Sequence, residues 1–160
     1  MPNATMPYEP KKPLAGAVFT VQRPVRFSDC DPAGMVFFPQ YFVMLNALVE
    51  DWFTLALGVD YATLLGPRGI GLPTASLQCD FKKPSRMGEA ISLHLRLLRQ
   101  GRRSLTLEVQ CTGVAPLDTL RWNALVVLVS TSLEHDGSIS IPPDIVQAIA
   151  RWQNPTGEPT

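Results

Sequence analysis

Two aspartates and a cysteine form a compact group of reactive side chains near the start of the chain, in the run Asp29-Cys30-Asp31-Pro32-Ala33-Gly34. A carboxylate can attack a carbonyl as a nucleophile or activate a water molecule as a general base. The residues around it are turn formers that end a strand and lead into the next element. Asp31, the aspartate nearer to that next element, is therefore one candidate for such a carboxylate.

The segment after this run predicts a helix whose first turn lies close to Asp31. Pro39 suits that first turn, where its missing N–H costs nothing. The unpaired N–H groups and positive dipole end of a helix can polarise a carbonyl. We expect the backbone N–H of Phe38 to act as an oxyanion donor, worth about 3–4 kcal/mol, and Gly34 to let the backbone approach a ligand closely. The alternative without chemistry is that Asp31 only caps the helix or stabilises the turn.

Other reactive side chains have weaker claims. Asp29 and Asp31 have no nearby histidine or third carboxylate to complete a metal site, so Asp29 is interpreted as structural or as an electrostatic neighbour. Cys30 has no histidine close in sequence, which favours packing over nucleophilic chemistry. Glu50 is a second candidate carboxylate, although a paired or solvent-facing role is the favoured interpretation. His94 falls on the polar side of a strand and is expected to face solvent.

The elements that must position this group begin with a β-type stretch. Ala17–Ser28 predicts the first strand, and Pro24 indicates an edge position or a bulge. The stretch Tyr41–Leu57 repeats apolar residues at helical spacing until little polar surface remains, so it must be buried on nearly every side. Gly58 is expected to cap this helix, and Asp60 to start a short second helix ending at Leu65.

The second half of the chain has the alternation of half-buried antiparallel strands. Ile91–Leu97 and Leu105–Cys111 predict a hairpin across Gln100-Gly101-Arg102. Ala124–Val129 is apolar without a break, as expected of a strand covered on both faces. A last amphipathic helix is expected over Pro143–Trp152. One strand, a long helix and about four more strands together indicate an α+β fold, in which an antiparallel sheet of about five strands wraps around the helix.

Length and composition indicate the domain organisation of the chain and the kinds of partner it can have. The 160 residues fit one domain, expected at residues 17–152 between a flexible leader (1–16) and a flexible tail (153–160). A hydrophobic fraction of 46% with 18% charged residues indicates surface buried between subunits. Fourteen basic and fourteen acidic residues provide no footprint for nucleic acid. Three scattered cysteines, and no stretch typical of a signal peptide or a membrane span, indicate a cytoplasmic protein with no membrane partner.

The segment Val25–Tyr41, with its aspartate-proline-alanine-glycine turn and valine-aromatic-aromatic-proline run, resembles the 4-hydroxybenzoyl-CoA thioesterase family. A looser likeness extends over Val21–Pro143 and includes Leu72–Ser76 and Gly101–Ser104. The resemblance implies a hotdog fold, a dimer of hotdog dimers with the active site at a subunit interface, and hydrolysis of an acyl-CoA without a metal. Coenzyme A would be part of the substrate, and no separate cofactor is expected.

The same resemblance assigns the catalytic aspartate of the family to Asp31. It places Asn46 where the 4-hydroxybenzoyl enzyme carries an aspartate near the ring hydroxyl, and Phe38 where that enzyme carries a tyrosine. With Phe37, these residues suit an apolar or aromatic acyl group that need not be hydroxylated. The alternatives are a non-catalytic acyl-CoA or acyl-carrier binding module, and a hotdog hydratase or dehydratase, which would normally use a histidine near the helix start.

The remaining candidate residues would contact other parts of the substrate. Arg102 and Arg103, at the predicted hairpin tip, could bind the phosphates of coenzyme A through their guanidinium groups, or could simply be solvated. Thr74 and Ser104 could line the cleft, although such residues in strands are often ordinary members of the sheet.

Overall fold

Five strands and one long helix form the framework of the folded chain. The structure, a computed structural model, describes residues 16–116 and 118–157. The elements in chain order are β1 (Phe19–Pro24), α1 (Phe38–Asp51), α2 (Tyr61–Leu65), β2 (Ile70–Gly71), β3 (Thr74–Phe81), β4 (Ala90–Gln100), β5 (Ser104–Gly113), β6 (Leu120–Val129), β7 (Thr131–Ser132) and α3 (Pro143–Gln153).

The five long strands form one antiparallel sheet in the order β1-β4-β5-β6-β3, and β2 pairs with β7 in a separate ribbon. This agrees with the predicted sheet of about five strands. Pro24 ends β1, which is an edge strand as expected. The first strand is shorter than predicted because residues Phe27–Asp29 form a 3₁₀ turn, in which the Asp29 carboxylate accepts a hydrogen bond from the Arg26 N–H.

The core lies between this sheet and α1. Alternate residues of the central strands are fully buried on the helix side, as the alternation predicts. On β6, however, the outward-facing Leu125, Val127 and Val129 are only half-buried. The expectation of a strand covered on both faces is therefore wrong for a single chain. The buried core residues of the central strands include Ile91, Leu93, Leu95, Leu105, Leu107, Val109, Ala124, Val126 and Leu128.

Helix α1 is buried along one face only. Tyr41, Leu45 and Leu48 pack against the sheet, whereas Val43 is 59% exposed and Glu50 faces solvent. The prediction that the helix is wrapped on nearly every side is therefore wrong for one chain, because the sheet covers a single face of it. The apolar residues on the opposite face are left uncovered.

The end of α1 closes the core on the side away from Asp31. One π-helical turn (Trp52–Ala56) continues the helix, and Gly58 follows with a positive φ of 68°, in agreement with the predicted cap. Asp60 caps α2 by accepting a hydrogen bond from the Thr63 N–H at 2.8 Å. The Trp52 ring packs edge-on against Trp152 of α3, with 5.4 Å between the ring centroids.

The predicted leader lies outside the described residues except for Gly16. The predicted tail starts at Gln153, which is the last residue of α3, and its residues 158–160 are also outside the described ranges. Within those ranges, no helix combines the length and the hydropathy needed to cross a bilayer.

Candidate active site

The segment between β1 and α1 folds back on itself as a tight loop. The Asp31 N–H donates to the Met35 carbonyl at 2.8 Å, and Cys30 and Val36 form an antiparallel bridge. The backbone at Gly34 has a φ of +76°, a conformation that favours glycine. Residues 29–31 thus run antiparallel to residues 35–37, just before the helix begins.

The Asp31 carboxylate helps to close this loop. Its Oδ1 atom accepts hydrogen bonds from the N–H of Ala33 at 2.9 Å and the N–H of Met35 at 3.4 Å. Among the described residues, no donor reaches Oδ2, and the residue as a whole is half-buried. One oxygen therefore orients the side chain while the other is open to a ligand or to water.

Asp29 fixes the base of the loop. Its backbone carbonyl accepts a hydrogen bond from the Phe37 N–H at 2.9 Å. Its carboxylate accepts from the Arg26 N–H at 2.8 Å and forms an ion pair with the Arg23 guanidinium at 3.1 Å. These contacts agree with the structural interpretation of Asp29, since they involve the protein alone and bury the residue to 6% exposure.

The first turn of α1 offers the backbone donor that the sequence predicted. Phe37 is the N-cap residue with an extended backbone, and Pro39 lies in the first turn. No acceptor for the Phe38 N–H is found within the described ranges, as expected for the first residue of a helix, whose N–H has no intrahelical partner. The Phe38 N–H is therefore free to bind a ligand carbonyl.

An aromatic cluster surrounds this donor. Phe37 and Phe38 are 51% and 56% exposed, and their ring centroids lie 5.7 Å apart. The Phe38 ring also packs edge-on against Phe42 at 6.2 Å and against Phe81 at 6.1 Å, where Phe81 ends strand β3. The exposed start of α1 is thus an aromatic surface suited to a flat apolar group.

Asn46 and Thr74 lie in a different place. Both line a cleft of about 580 Å³ between α1 and the start of β3, together with Glu50, Tyr61 and Leu72. Asn46 is eight residues beyond Phe38, or about 12 Å along the helix at 1.5 Å per residue. This cleft therefore does not include the Asp31 loop of the same chain.

The hairpin arginines lie at the opposite end of the sheet. Pro24, which precedes the Asp31 loop, pairs with Ala90 at the start of β4, whereas Arg102 and Arg103 follow the end of β4. The eleven residues of that strand span roughly 35 Å at about 3.3 Å per residue. Within one chain, these arginines therefore lie about a full strand length from the Asp31 loop.

Both guanidinium groups rest on the same neighbouring segment. Arg102 Nε donates to Ser140 Oγ and Arg103 Nη1 donates to Ser138 Oγ, each at 3.1 Å. Ser104 lies within the tight turn, where its carbonyl accepts a hydrogen bond from the Gly101 N–H at 2.8 Å. The predicted site residues thus form three separate groups in one chain: the Asp31 loop with Gly34, Phe37 and Phe38; the cleft with Asn46 and Thr74; and the hairpin with Ser104.

The other reactive groups have protein partners or high pKa values. Burial raises the pKa of the Cys79 and Cys111 thiols to about 12, and burial together with Asp29 and Asp31 raises that of Cys30. His94 bonds to the hydroxyls of Thr20 and Thr112, and burial lowers its pKa. It is half-buried, which is less exposed than the sequence suggested. The described residues contain no cluster of ligands suited to a metal ion.

Sequence reasoning missed the segment that supports the Asp31 loop. Residues 82–89 pack against the loop, and the side chain of Arg121 on β6 holds this segment in place. The available signal was a charged residue, between Leu120 and Trp122, in a mainly apolar strand. The missed aromatic neighbour Phe81 carried no such signal, because strand β3 was not located from sequence.

Comparisons with known proteins identify the family and the fold of the chain. The family model of the thioesterase-like superfamily matches residues 25–149. The chain therefore belongs to the thioesterase-like superfamily. A solved structure of a 4-hydroxybenzoyl-CoA thioesterase mutant complexed with 4-hydroxybenzoyl-CoA superposes with a TM-score of 0.75 at 22% identity, covering 82% of this chain and 98% of that one. The hotdog fold expected from the sequence is confirmed.

Two curated relatives are named for aromatic CoA thioesters. The 1,4-dihydroxy-2-naphthoyl-CoA hydrolase of Synechococcus elongatus (strain ATCC 33912 / PCC 7942 / FACHB-805) is 30% identical over 87 residues, 54% of this chain and 63% of that protein. The match thus spans less than two thirds of that relative. The 4-hydroxybenzoyl-CoA thioesterase of Pseudomonas sp. (strain CBS-3) is 24% identical over 133 residues, 80% of this chain and 94% of that protein.

Proposed function

We propose that this chain hydrolyses an acyl-CoA thioester, with Asp31 as the catalytic carboxylate and the Phe38 N–H as oxyanion donor. The observation that carries the proposal is the antiparallel pairing of residues 29–31 with 35–37. This pairing places Asp31 beside the residues that lead directly into Phe38. Asp31 lies two residues from Asp29, the partner of Phe37, or about 7 Å at 3.3 Å per residue. A thioester whose carbon is about 3 Å from the carboxylate and whose oxygen is about 3 Å from the N–H fits such a separation.

The reaction can follow two routes from this arrangement. In the first, an Asp31 oxygen attacks the carbonyl carbon, the C–S bond breaks, and the CoA thiolate leaves and takes a proton from water. Water then hydrolyses the mixed anhydride and restores the carboxylate. In the second, Asp31 takes a proton from a water molecule that attacks the carbon directly; the C–S bond then breaks, and the CoA thiolate leaves and takes that proton. In both routes the Phe38 N–H stabilises the negative charge on the carbonyl oxygen.

The acyl group that we propose is aromatic or another small apolar group. The exposed rings of Phe37 and Phe38 flank the proposed oxyanion donor and offer the flat apolar surface that such a group needs. Both relatives described above are named for aromatic CoA substrates, which supports the same class. Asn46 lies about two helical turns beyond Phe38, so the proposal does not require a ring hydroxyl on the acyl group.

We further propose that the active unit is a homo-oligomer built from dimers. Strand β3 is an edge strand whose residues Thr74–Leu77 are exposed, and Thr74 lines the same cleft as the exposed Asn46 and Glu50 of α1. Two copies that pair their β3 strands antiparallel would bring the Asn46 and Thr74 cleft of one copy towards Phe81 and the aromatic surface of the other. A further pairing of dimers would allow Arg102 and Arg103 to reach coenzyme A bound to another copy.

The test is hydrolysis of a panel of benzoyl, short aliphatic and long aliphatic acyl-CoAs. The rate is measured from the free thiol that the reaction releases. Wild type is compared with Asp31→Asn and with the matched control Asp118→Asn, an exposed aspartate on the loop before β6. We expect Asp31→Asn to lower kcat by at least about 10²-fold and the control to leave it unchanged. An acyl group found on Asp31 by mass spectrometry of a quenched reaction would distinguish the nucleophile from the general base.

Two results would contradict the proposal. Turnover by Asp31→Asn at the wild-type rate would remove Asp31 from the mechanism. Binding of acyl-CoAs without any turnover by wild type would favour a binding module instead. Light scattering tests the oligomer separately, since wild type should give a multiple of 17.6 kDa and Leu77→Lys on the exposed edge should reduce it.

A further inference from the structure

Residues 82–89, which connect β3 to β4, form the wall behind the Asp31 loop. The Val36 N–H donates to the Ser85 carbonyl at 2.9 Å, and the Met87 N–H donates to the Gly34 carbonyl at 3.0 Å. These two bonds flank Met35, whose N–H and carbonyl both bond to Asp31. The position of the Asp31 loop therefore depends on the position of this connecting segment.

Arg121 holds the connecting segment from its other side. The Arg121 carbonyl accepts hydrogen bonds from the N–H groups of Lys82 at 2.8 Å and Lys83 at 3.0 Å. The guanidinium Nη1 donates to the Pro84 carbonyl and forms an ion pair with Glu89 at 3.0 Å. One residue of β6 thus fixes both ends of the segment.

The Arg121 guanidinium that supports the connecting segment is buried. The Arg121 side chain is only 8% exposed, and it lies where the pairing of β5 with β6 is irregular, beside Cys111. A buried charge is unfavourable unless it is fully paired, and replacing a whole buried ion pair by apolar side chains of similar volume is often neutral or stabilising, whereas removing one partner alone is destabilising. Burial raises the pKa of Tyr41 on α1, and the charge of Arg121 opposes that effect.

We propose that Arg121 is a positioning residue for the Asp31 loop, which it orients through the connecting segment 82–89. The proposal rests on the function proposed above. The guanidinium does not touch the substrate. It sets the position of the Pro84 and Ser85 carbonyls, and through Gly34 and Val36 the spacing between the Asp31 carboxylate and the Phe38 N–H.

The chain offers a matched control for a merely structural ion pair. Arg96 and Glu108 form a second pair, in which Glu108 is 2% exposed, between the facing strands β4 and β5. Arg96 is six residues beyond Ala90, the end of β4 nearest the Asp31 loop, or about 20 Å along the strand at 3.3 Å per residue. Arg96→Met should therefore cost stability as Arg121→Met does, without disturbing the loop.

The experiment compares kcat and KM for wild type, Arg121→Met, Arg121→Lys and Arg96→Met, with an acyl-CoA that wild type hydrolyses. Each variant is assayed well below its own melting temperature. We expect Arg121→Met to lower kcat about 10- to 100-fold with a smaller change in KM, because the reacting groups are misplaced. Arg121→Lys should recover part of the loss, and Arg96→Met should keep kcat within about twofold of wild type. Hydrogen exchange at the Val36 and Met87 amides should accelerate in Arg121→Met only.

A folded Arg121→Met with wild-type kcat would overturn the proposal, as would an equal loss of kcat in Arg96→Met. If Arg121→Met does not fold, Glu89→Gln tests the proposal instead, because it weakens the ion pair with Arg121 while keeping the guanidinium. A kcat for Glu89→Gln equal to wild type would then overturn it. Asp31→Asn distinguishes failure of the positioning role from failure of the proposed function. If Asp31→Asn is inactive while Arg121→Met is fully active, only the positioning role of Arg121 is wrong. If Asp31→Asn is itself fully active, the proposed function is wrong.

Discussion

The Phe37 N–H donates a hydrogen bond to the Asp29 carbonyl at 2.9 Å, which joins the end of the β1 region directly to the cap of α1. The same aspartate binds Arg23 and the Arg26 N–H through its carboxylate. One buried residue thus sets the angle at which the helix starts beside the Asp31 loop. The stability of this region should therefore depend strongly on the Asp29 charge.

We expect Asp29→Asn to lower the free energy of unfolding by about 2 kcal/mol, because the change leaves the Arg23 guanidinium unpaired and weakens the bond to the Arg26 N–H. The partial exposure of Arg23, 28% for its side chain, keeps the loss below that of a fully buried pair. Urea unfolding at pH 7 measures the effect, with Asp118→Asn as control. A loss below about 0.5 kcal/mol would be within the range of ordinary surface substitutions and would contradict this role.

The three cysteines should react slowly in the folded protein. Their raised pKa values leave few thiolates at pH 8, roughly 1 in 10⁴ for a thiol with a pKa of about 12. We expect iodoacetamide to label half-exposed Cys30 first and the denatured chain three times, as measured by intact mass. Cys30→Ser should also keep kcat within about twofold of wild type. Loss of turnover in that variant would restore Cys30 as a candidate nucleophile.

The Arg68–Asp144 ion pair should make stability depend on pH in the acidic range. The Arg68 guanidinium, which donates two 2.9 Å hydrogen bonds, lowers the pKa of Asp144 in the folded state. The ion pair therefore contributes its full stabilisation above the pKa of Asp144 in the unfolded chain, about 3.9. This stabilisation is lost as the pH falls through the lower pKa of Asp144 in the folded protein. Because the Asp144 side chain is 55% exposed, Asp144→Asn should cost only about 0.5 kcal/mol at pH 7.

Thermal unfolding of wild type and Asp144→Asn between pH 7 and pH 2.5 measures this effect. The difference in melting temperature should stay constant down to about pH 4.5 and then shrink. A difference that grows towards low pH would mean that Asp144 stabilises the fold in its protonated form, which is the opposite of the expected dependence.

Arg102 and Arg103 provide a test of the contact between subunits and coenzyme A. If they bind its phosphates in the oligomer, replacing both with alanine should raise KM for acyl-CoA about 10-fold or more. The KM for the matching acyl-pantetheine thioester, which lacks the nucleotide phosphates, should not change. Arg99→Ala, at the end of β4, is the control. An equal rise in KM for both substrates would argue against phosphate binding.

Much of the fold followed from local patterns. The α+β class, the long helix, the hairpin between β4 and β5 and the edge position of Pro24 are confirmed, because alternation and helical spacing directly reflect which side chains face the core. Strand β3 was not located. Its residues Thr74–Leu77 are all exposed in a single chain, so the strand has no alternation between a buried and an exposed face to reveal it.

The site was predictable only in part. The motif around Asp31 indicated the loop and the helix start, and the structure brings Asp31, Gly34 and Phe38 into one loop. Their catalytic roles remain predictions. Sequence could not reveal that Arg102 and Arg103 lie a whole strand away, because that distance depends on which strand ends meet in the sheet.

The order of residues by itself determined the turn at Asp31, the helix after it and the alternation of the strands, since each depends on interactions between residues close along the chain. The tertiary structure decided which distant segments support that turn. Arg121 lies ninety residues after Asp31, yet it fixes the segment against which the Asp31 loop packs. Such contacts depend on how strands are ordered in the sheet, and no local propensity encodes that order.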